Sequence, residues 1–287
     1  MAAHPGLAWA RRTEAGREWL ERLPQLVSEC AEQWSLELGE PFPCAFASLA
    51  LPARQAGGRD AVLKICFPHR ESEHEADALA AWAGEGAVRL LAHDRERWAL
   101  LVERCRPGTH LRELESKAAL DVMIGLLPRL WVPAGEPFRP LDEEAAWWTS
   151  YLPGTWEKAG RPFERELLDA TLDALRALPG TQGEQVMVNQ DLHADNVLAA
   201  EREPWLAIDP KPLVGEREFG IAGLVRAFEL GHSRRGVLYR LDRLTAELGL
   251  DRERARLWAL AQTVSWAFDS EFLPAHAETA RWLLDRS

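Results

Sequence analysis

Three residues within one short stretch have the chemistry for handling a phosphoryl group. In VMVNQDLHADNVLAAEREPWLAIDP, Asp191 and Asn196 lie five apart in a polar loop, and Asp209 follows Asn196 by 13 residues at the end of a second apolar run, WLAID. Both flanks read as strands, so the turn between them can gather the three side chains around one ligand. A carboxylate can accept a hydroxyl proton. An amide oxygen and a second carboxylate are hard donors suited to a cation that also contacts phosphate oxygens. The same residues have a plainer use, because Asp and Asn favour turns and an Asp at a strand end often caps the following loop. Spacing alone leaves both uses open.

Other chemistries find less support. His4, His69, His74, His93, His110, His232 and His276 form no HExxH or other zinc pattern, and no GxSxG nucleophile elbow is present. His193, two residues after Asp191, reads as a brace for the loop rather than as the base. Cys30, Cys44, Cys66 and Cys105 show no CxxC pairing, and Cys66 reads as a small buried hydrophobe in a strand.

The elements that must position these residues change in texture along the chain. Residues 7–38 read as helical through Trp19, Leu20, Leu23, Leu26 and Val27, with Pro24 as a possible bend. Gly57-Gly58 then reads as a hairpin leading into a strand from Ala61 to Phe67. A helix follows with Ala76, Leu79, Ala80 and Ala83 on one face, and two strand-like runs flank a polar turn at Asp94–Arg97. Beyond Pro107-Gly108 the pattern is mainly helical: Leu111–Leu130, Phe163–Leu178, Arg252–Phe268 and Pro274–Leu284. The strand–loop–strand passage Gln185–Asp209 interrupts it. This organisation predicts a strand-rich N-terminal lobe over 1–103 and a larger helical lobe over 104–287, an α+β architecture.

The chain has 287 residues, 47% of them apolar and 28% charged, enough for a core without disulfide staples. Its net charge of -11 argues against a general nucleic-acid binder and permits a cationic ligand. The surplus divides as -5 over 1–103 and -6 over the remainder, so it does not locate a binding site. The N-terminal stretch lacks the apolar region of a secretory signal, and no run reaches 18 uncharged apolar residues. A cytoplasmic protein without membrane contact is expected.

The order of motifs resembles the aminoglycoside and hydroxyurea phosphotransferase family, particularly its streptomycin 6-kinase-like members, over residues 37–285. The family loop HGDLHxxN corresponds to NQDLHADN, followed by AIDPK. The resemblance implies a protein-kinase-like two-lobed fold with ATP in the cleft and Mg2+ as cofactor. It casts Asp191 as the catalytic carboxylate and Asn196 and Asp209 as metal ligands. Lys64 in AVLKICF is similar to the strand lysine that contacts ATP phosphates, and Glu75 in SEHEADALAAW to its helix-borne partner, with Glu71 and Glu73 as neighbouring alternatives. ALLVERCRPGTHL resembles the linker between lobes, where adenine would meet the backbone near Glu103 to Cys105. Ser48 is a candidate for covering the phosphates.

Three departures stand out. Asn189-Gln190 replaces the family's His-Gly, which could disturb a tight turn if residue 190 needs positive φ. Gly220 stands where a supporting Asp often occurs. The implied activity is phosphorylation of a small-molecule hydroxyl, with a cationic aminoglycoside such as streptomycin as acceptor, in a monomer or weak dimer. The alternatives are a kinase-like regulatory protein that binds nucleotide without turnover, and a kinase for another hydroxyl metabolite. Candidates for contacting a cationic acceptor are Asp142, Glu143, Glu144, Asp269 and Glu271, with Trp147, Trp148 and Trp156 as pocket walls. Asp142–Glu144 could equally be a solvated helix start.

Overall fold

The computed structural model describes residues 5–43, 47–268 and 273–285. The chain divides into two compact units, one ending at Gly108 and the other starting at Thr109.

The N-terminal unit is built on a five-stranded antiparallel sheet. Its strands are β1 (Leu36–Leu38), β2 (Ser48–Gln55), β3 (Asp60–Cys66), β4 (Leu90–Asp94) and β5 (Ala99–Glu103), in the order β1-β2-β3-β5-β4. Helix α1 (Glu14–Gln33), preceded by a 3-10 segment over Pro5–Arg12, covers one face. Trp19, Leu23, Leu26, Val27 and Cys30 of α1 pack there with Leu49, Leu51, Ala61, Leu63, Ile65 and Leu101. The two-residue period of a strand explains which residues meet this core. Ala61, Leu63 and Ile65 of β3 enter it, so Val62, Lys64 and Cys66 point to the opposite face. Helix α2 (Glu75–Trp82) supplies the partner for Lys64 and ends at Ala83 in a left-handed conformation, φ 51°.

The expected helix over 7–38 is shorter than its periodicity suggests. It runs through Pro24 without interruption but stops at Gln33. Ser35 adopts φ 52°, and Leu36–Leu38 then pairs with Ala53–Gln55 as an edge strand. Three leucine-flanked residues continue the apolar texture while the backbone has already turned.

The C-terminal unit is helical around two small antiparallel ribbons. Its helices are α3 (Ser116–Leu130), α4 (Leu141–Lys158), α5 (Arg165–Ala177), α6 (Ala222–Arg226), α7 (Arg234–Leu248), α8 (Arg252–Ser265) and α9 (Pro274–Leu284). The ribbons pair β6 (Gln185–Asn189) with β9 (Pro212–Glu216) and β7 (Val197–Ala199) with β8 (Trp205–Ala207). Every residue of α8 from Trp258 to Ser265 is buried, as expected of a helix surrounded by others. Phe219 sits between Trp148 and Trp258, with ring centroids 6.1 and 5.4 Å away. Glu216 is buried beneath this cluster. It accepts from the Trp258 indole and forms an ion pair of 2.7 Å with Arg254, so its charge is not left unpaired. Among the described residues, no helix is long and apolar enough to cross a membrane.

Candidate functional site

In the N-terminal unit the strand alternation brings Lys64 to Glu75. The ammonium lies 2.6 Å from both carboxylate oxygens, and the two residues are 8% and 2% exposed. Glu75 stands in the first turn of α2, where the helix dipole favours a carboxylate. The Cys66 thiol, on the same strand face, donates to Glu75 at 3.6 Å. Glu73, in contrast, has a half-exposed side chain. A buried ion pair contributes little net stability after desolvation. Its geometric effect is plainer: it fixes a buried cation on the sheet.

Glu103 closes β5. Its N–H donates to the Arg89 carbonyl at 2.9 Å, and its carboxylate accepts from the Arg89 N–H at 3.0 Å. The side chain thereby ties the strand end to the preceding segment. Cys105 is buried just beyond it, and Gly108 takes φ 78° at the close of the segment. Ser48 is buried at the start of β2, opposite Cys66 in register. Cys44, Ala45 and Phe46, just upstream, lie outside the described residues.

In the C-terminal unit, strand register assembles the second set. Asn189 at the end of β6 faces Pro212 at the start of β9, so the Asp191 loop and the Asp209–Lys211 segment leave the ribbon side by side. Asn189 clamps them together: its Oδ1 accepts the N–H of Asp191 at 3.1 Å and that of Lys211 at 3.0 Å. The Gln190 N–H donates to the Lys211 carbonyl at 3.0 Å. Lys211 then places its ammonium 2.7 Å from Asp191 Oδ2. Asn196 joins through two bonds, its Nδ2 donating to the Asp191 carbonyl at 3.0 Å and its own carbonyl accepting from Ile208 N–H at 2.9 Å. With Nδ2 so engaged, the Asn196 amide presents its oxygen as the remaining polar atom. Asp209 adopts φ 52° immediately before Pro210, where residues are ordinarily extended. Such strain is found where the surroundings over-determine a side chain's position.

His193 behaves as a brace. Its Nδ1 accepts from the Asp195 N–H at 3.3 Å, and its Nε2 stands 3.6 Å from Asp191 Oδ1, beyond hydrogen-bond distance. Glu229 secures the same turn by accepting from the Ala194 N–H at 2.8 Å.

The departures at 189, 190 and 220 each have a structural counterpart. Asn189 supplies an acceptor that holds two backbone segments. Gln190 is not among the residues with positive φ, so its side chain imposes no strain there. A Cβ at Gly220 would lie 2.8 Å from the Trp131 indole nitrogen, leaving no room for a supporting carboxylate. Support comes instead from Gln262 on α8, whose Nε2 donates to the Gln190 carbonyl at 2.8 Å. Arg226 donates in turn to Gln262 Oε1 at 3.1 Å and stacks on Trp266 at 4.8 Å. Burial pulls the Arg226 guanidinium down to about 10, with the Asp191 and Glu229 carboxylates opposing the shift, so it remains charged at neutral pH. Gln262, Arg226 and Lys211 are the members that spacing missed. Lys211 stands inside the AIDPK motif, and the other two are isolated polar residues in apolar runs.

The acceptor candidates separate. Asp142 and Glu143 are exposed in the first turn of α4, whereas Glu144 is fully buried and paired with Arg139 at 3.3 Å. Trp148 is fully buried, and Trp156 is buried against Phe163 while donating to its carbonyl at 3.0 Å. These two indoles fill the core and are no pocket walls. Trp147 is 40% exposed beside Tyr151. Asp269 and Glu271 lie outside the described residues.

Known proteins resemble this chain in sequence and in fold. The family described as aminoglycoside/hydroxyurea antibiotic resistance kinase matches residues 33–270. A hydroxyurea phosphotransferase of Kitasatospora aureofaciens is 45% identical over 258 residues, covering 87% of this chain and 74% of that protein. A streptomycin 6-kinase of Streptomyces griseus is 41% identical over 256 residues, covering 87% and 83%. Among solved structures, the choline kinase LicA from Streptococcus pneumoniae has a TM-score of 0.64 at 13% identity, covering 92% of this chain and 99% of that one. An aminoglycoside phosphotransferase in ternary complex with ADP and hygromycin B has a TM-score of 0.61 at 13% identity, covering 89% and 94%. At these identities the structural likeness speaks for the fold, which is the protein-kinase-like one with a strand-rich N-terminal and a helical C-terminal lobe. The chain is thus a phosphotransferase belonging to the aminoglycoside/hydroxyurea antibiotic resistance kinase family.

Proposed function

We infer that the protein transfers the γ-phosphoryl group of ATP to a hydroxyl of a small molecule, with a streptomycin-like aminoglycoside as the acceptor. The observation that carries this reading is the Asp191 carboxylate, fixed by Asn189 through the backbone and by Lys211 at 2.7 Å. A base so held can orient an acceptor hydroxyl and take its proton as the oxygen attacks phosphorus. Lys64, held by Glu75 at 2.6 Å, is suited to the α and β phosphates. The Glu103–Cys105 segment would receive adenine. Asn196 and Asp209 offer an amide oxygen and a carboxylate, a hard donor set that fits Mg2+. When bound, the ion would neutralise phosphate charge during transfer.

Relatives named for hydroxyurea and for streptomycin stand at comparable identity, 45% and 41%. The acidic net charge of -11 and the exposed Asp142 and Glu143 support the cationic acceptor. A regulatory protein without turnover is the second reading, motivated by the Trp131 indole that fills the space beside Gly220. We place the enzyme in the cytoplasm as a monomer or weak dimer.

An ATP-consumption screen with streptomycin, other aminoglycosides and hydroxyurea, with mass analysis of the products, tests the assignment. Phosphorylated streptomycin is the expected product. Phosphorylation of hydroxyurea alone would replace the acceptor, and nucleotide binding without transfer to any compound would favour the regulatory reading.

A further inference from the structure

Lys211 is the charged residue closest to the candidate base, and neither the ATP-binding lysine nor the metal donors explain it. Its ammonium contacts Asp191 Oδ2 at 2.7 Å and lies 5.4 Å from the centre of the Trp266 ring. Its backbone is fixed on both sides, the N–H on Asn189 Oδ1 and the carbonyl on Gln190 N–H. The root of the side chain is therefore immobile, and only the four-carbon stem can swing.

The carboxylate is divided by this contact. Oδ2 belongs to Lys211, while Oδ1 faces His193 Nε2 at 3.6 Å, too far for a hydrogen bond, and is the oxygen left for an acceptor hydroxyl. A hydroxyl bonded to Oδ1 sits about 2.7 Å from it, and phosphorus about 3–3.5 Å beyond that in a near-attack arrangement. An ammonium on the other oxygen of the same carboxylate is then within a short swing of the transferring group. The second cation near Asp191 is not free to do this. Arg226 is buried, stacked on Trp266 and bonded to Gln262. Lysine suits the task because its three donors can serve a carboxylate and a phosphoryl oxygen together.

We propose that Lys211 is a catalytic residue, its ammonium keeping Asp191 Oδ2 and bridging it to an equatorial oxygen of the γ-phosphoryl group during transfer. The inference rests on the kinase reading above. In the step, the acceptor oxygen bonds to γ-phosphorus as the bond from phosphorus to the ADP oxygen breaks. The hydroxyl proton passes to Asp191 Oδ1, and Lys211 keeps its protons throughout. Its contribution is charge placed where charge spreads over the phosphoryl oxygens.

The test compares wild type, Lys211→Met and Lys211→Arg by calorimetric binding of MgADP, without and with fluoroaluminate as the mimic of the transferring phosphoryl group. Thermal melting establishes that each variant is folded. Lys211→Met should bind MgADP within twofold of wild type, yet lose about 100-fold of the extra affinity conferred by fluoroaluminate, the size typical of one preorganised donor. Lys211→Arg should recover part of that loss, and kcat on the identified acceptor should fall in parallel with KM for ATP little changed. Fluoroaluminate affinity within threefold of wild type in Lys211→Met would overturn the proposal and leave the kinase reading intact. A wild type that binds MgADP but gains nothing from fluoroaluminate would overturn it in the same way. A wild type that binds no nucleotide would overturn the kinase reading and this inference together.

Discussion

Replacing Asn189 by Ala removes one oxygen and releases two segments. That oxygen accepts the N–H groups of Asp191 and Lys211, and the residue is 6% exposed, so both donors lose their partner in a partly buried site. An unsatisfied buried donor costs about 1–3 kcal/mol. The amide nitrogen of Asn189 has no partner among the described residues, and its removal offsets about 1 kcal/mol. The net loss is about 1–5 kcal/mol, which at roughly 3 °C per kcal/mol for a unit of this size lowers Tm by about 3–15 °C. Activity should fall further than stability, because the same bonds fix both the candidate base and its ammonium partner. A misplacement of about 1 Å at reacting groups can cost about 100-fold in kcat. Asn189→Asp keeps an acceptor for both N–H groups and should retain most of the melting temperature, while adding a carboxylate beside Asp191 and lowering kcat. Scanning calorimetry and steady-state kinetics at a temperature well below both transitions separate the two effects. A Tm for Asn189→Ala within 2 °C of wild type, a shift below about 1 kcal/mol, would refute the clamp.

Further outcomes follow from other buried charges. Glu75→Leu removes the carboxylate that meets the buried Lys64 ammonium with both oxygens, and urea unfolding should show a loss of about 3–5 kcal/mol, whereas Lys64→Met with Glu75→Leu should be close to wild type in stability and still inactive. If the double variant is as unstable as the single one, the pair is structural in a way that desolvation arguments miss. His276 is held down to about 3 by burial, with Arg226 and His232 adding repulsion, against an ordinary value of 6.5. Below pH 6.5 the unfolded chain takes up a proton that the folded one refuses. This contribution is therefore absent at high pH and grows on acidification toward pH 3, destabilising the fold by about 2 kcal/mol at pH 5. His276→Leu should flatten the stability profile between pH 7 and pH 5, and an unchanged slope in urea titrations would assign the acid sensitivity elsewhere.

The residues proposed to do chemistry were more legible in the sequence than the residues that hold them. Lys64 announces itself because a lone charge in AVLKICF must leave the core face of its strand, and the carboxylate-rich segment after it supplies a partner. Asp191, Asn196 and Asp209 are polar positions between apolar runs, and the NQDLHADN and AIDPK motifs carry their resemblance. Their support is tertiary. Gln262 meets the Gln190 carbonyl across 72 residues, and nothing local marks it beyond an amide in an apolar helix. Gly220 shows only an absent carboxylate in the sequence; the Trp131 indole that occupies the space comes from a distant helix end. Helix α7 carries Val237, Leu241 and Leu244 at helical spacing, but Arg240 shares that buried face and interrupts the apolar stripe. In the structure its guanidinium donates to the carbonyls of Val225 and Gly231, which satisfies it without a carboxylate. The tryptophans mislead in the opposite direction. Trp148 and Trp156 have the composition of a ligand wall and the burial of a core.

The central claim is that Asp191 is the base of a phosphoryl transfer, and Asp191→Asn tests it most directly. The substitution preserves shape and removes the charge that accepts the proton. Product formation from ATP and streptomycin, followed by mass spectrometry alongside calorimetric MgADP binding, gives both required readouts. The account predicts phosphorylated product with wild type, a loss of about 100-fold to 10,000-fold with Asp191→Asn, and MgADP affinity little changed. Product formation by Asp191→Asn at the wild-type rate would contradict it.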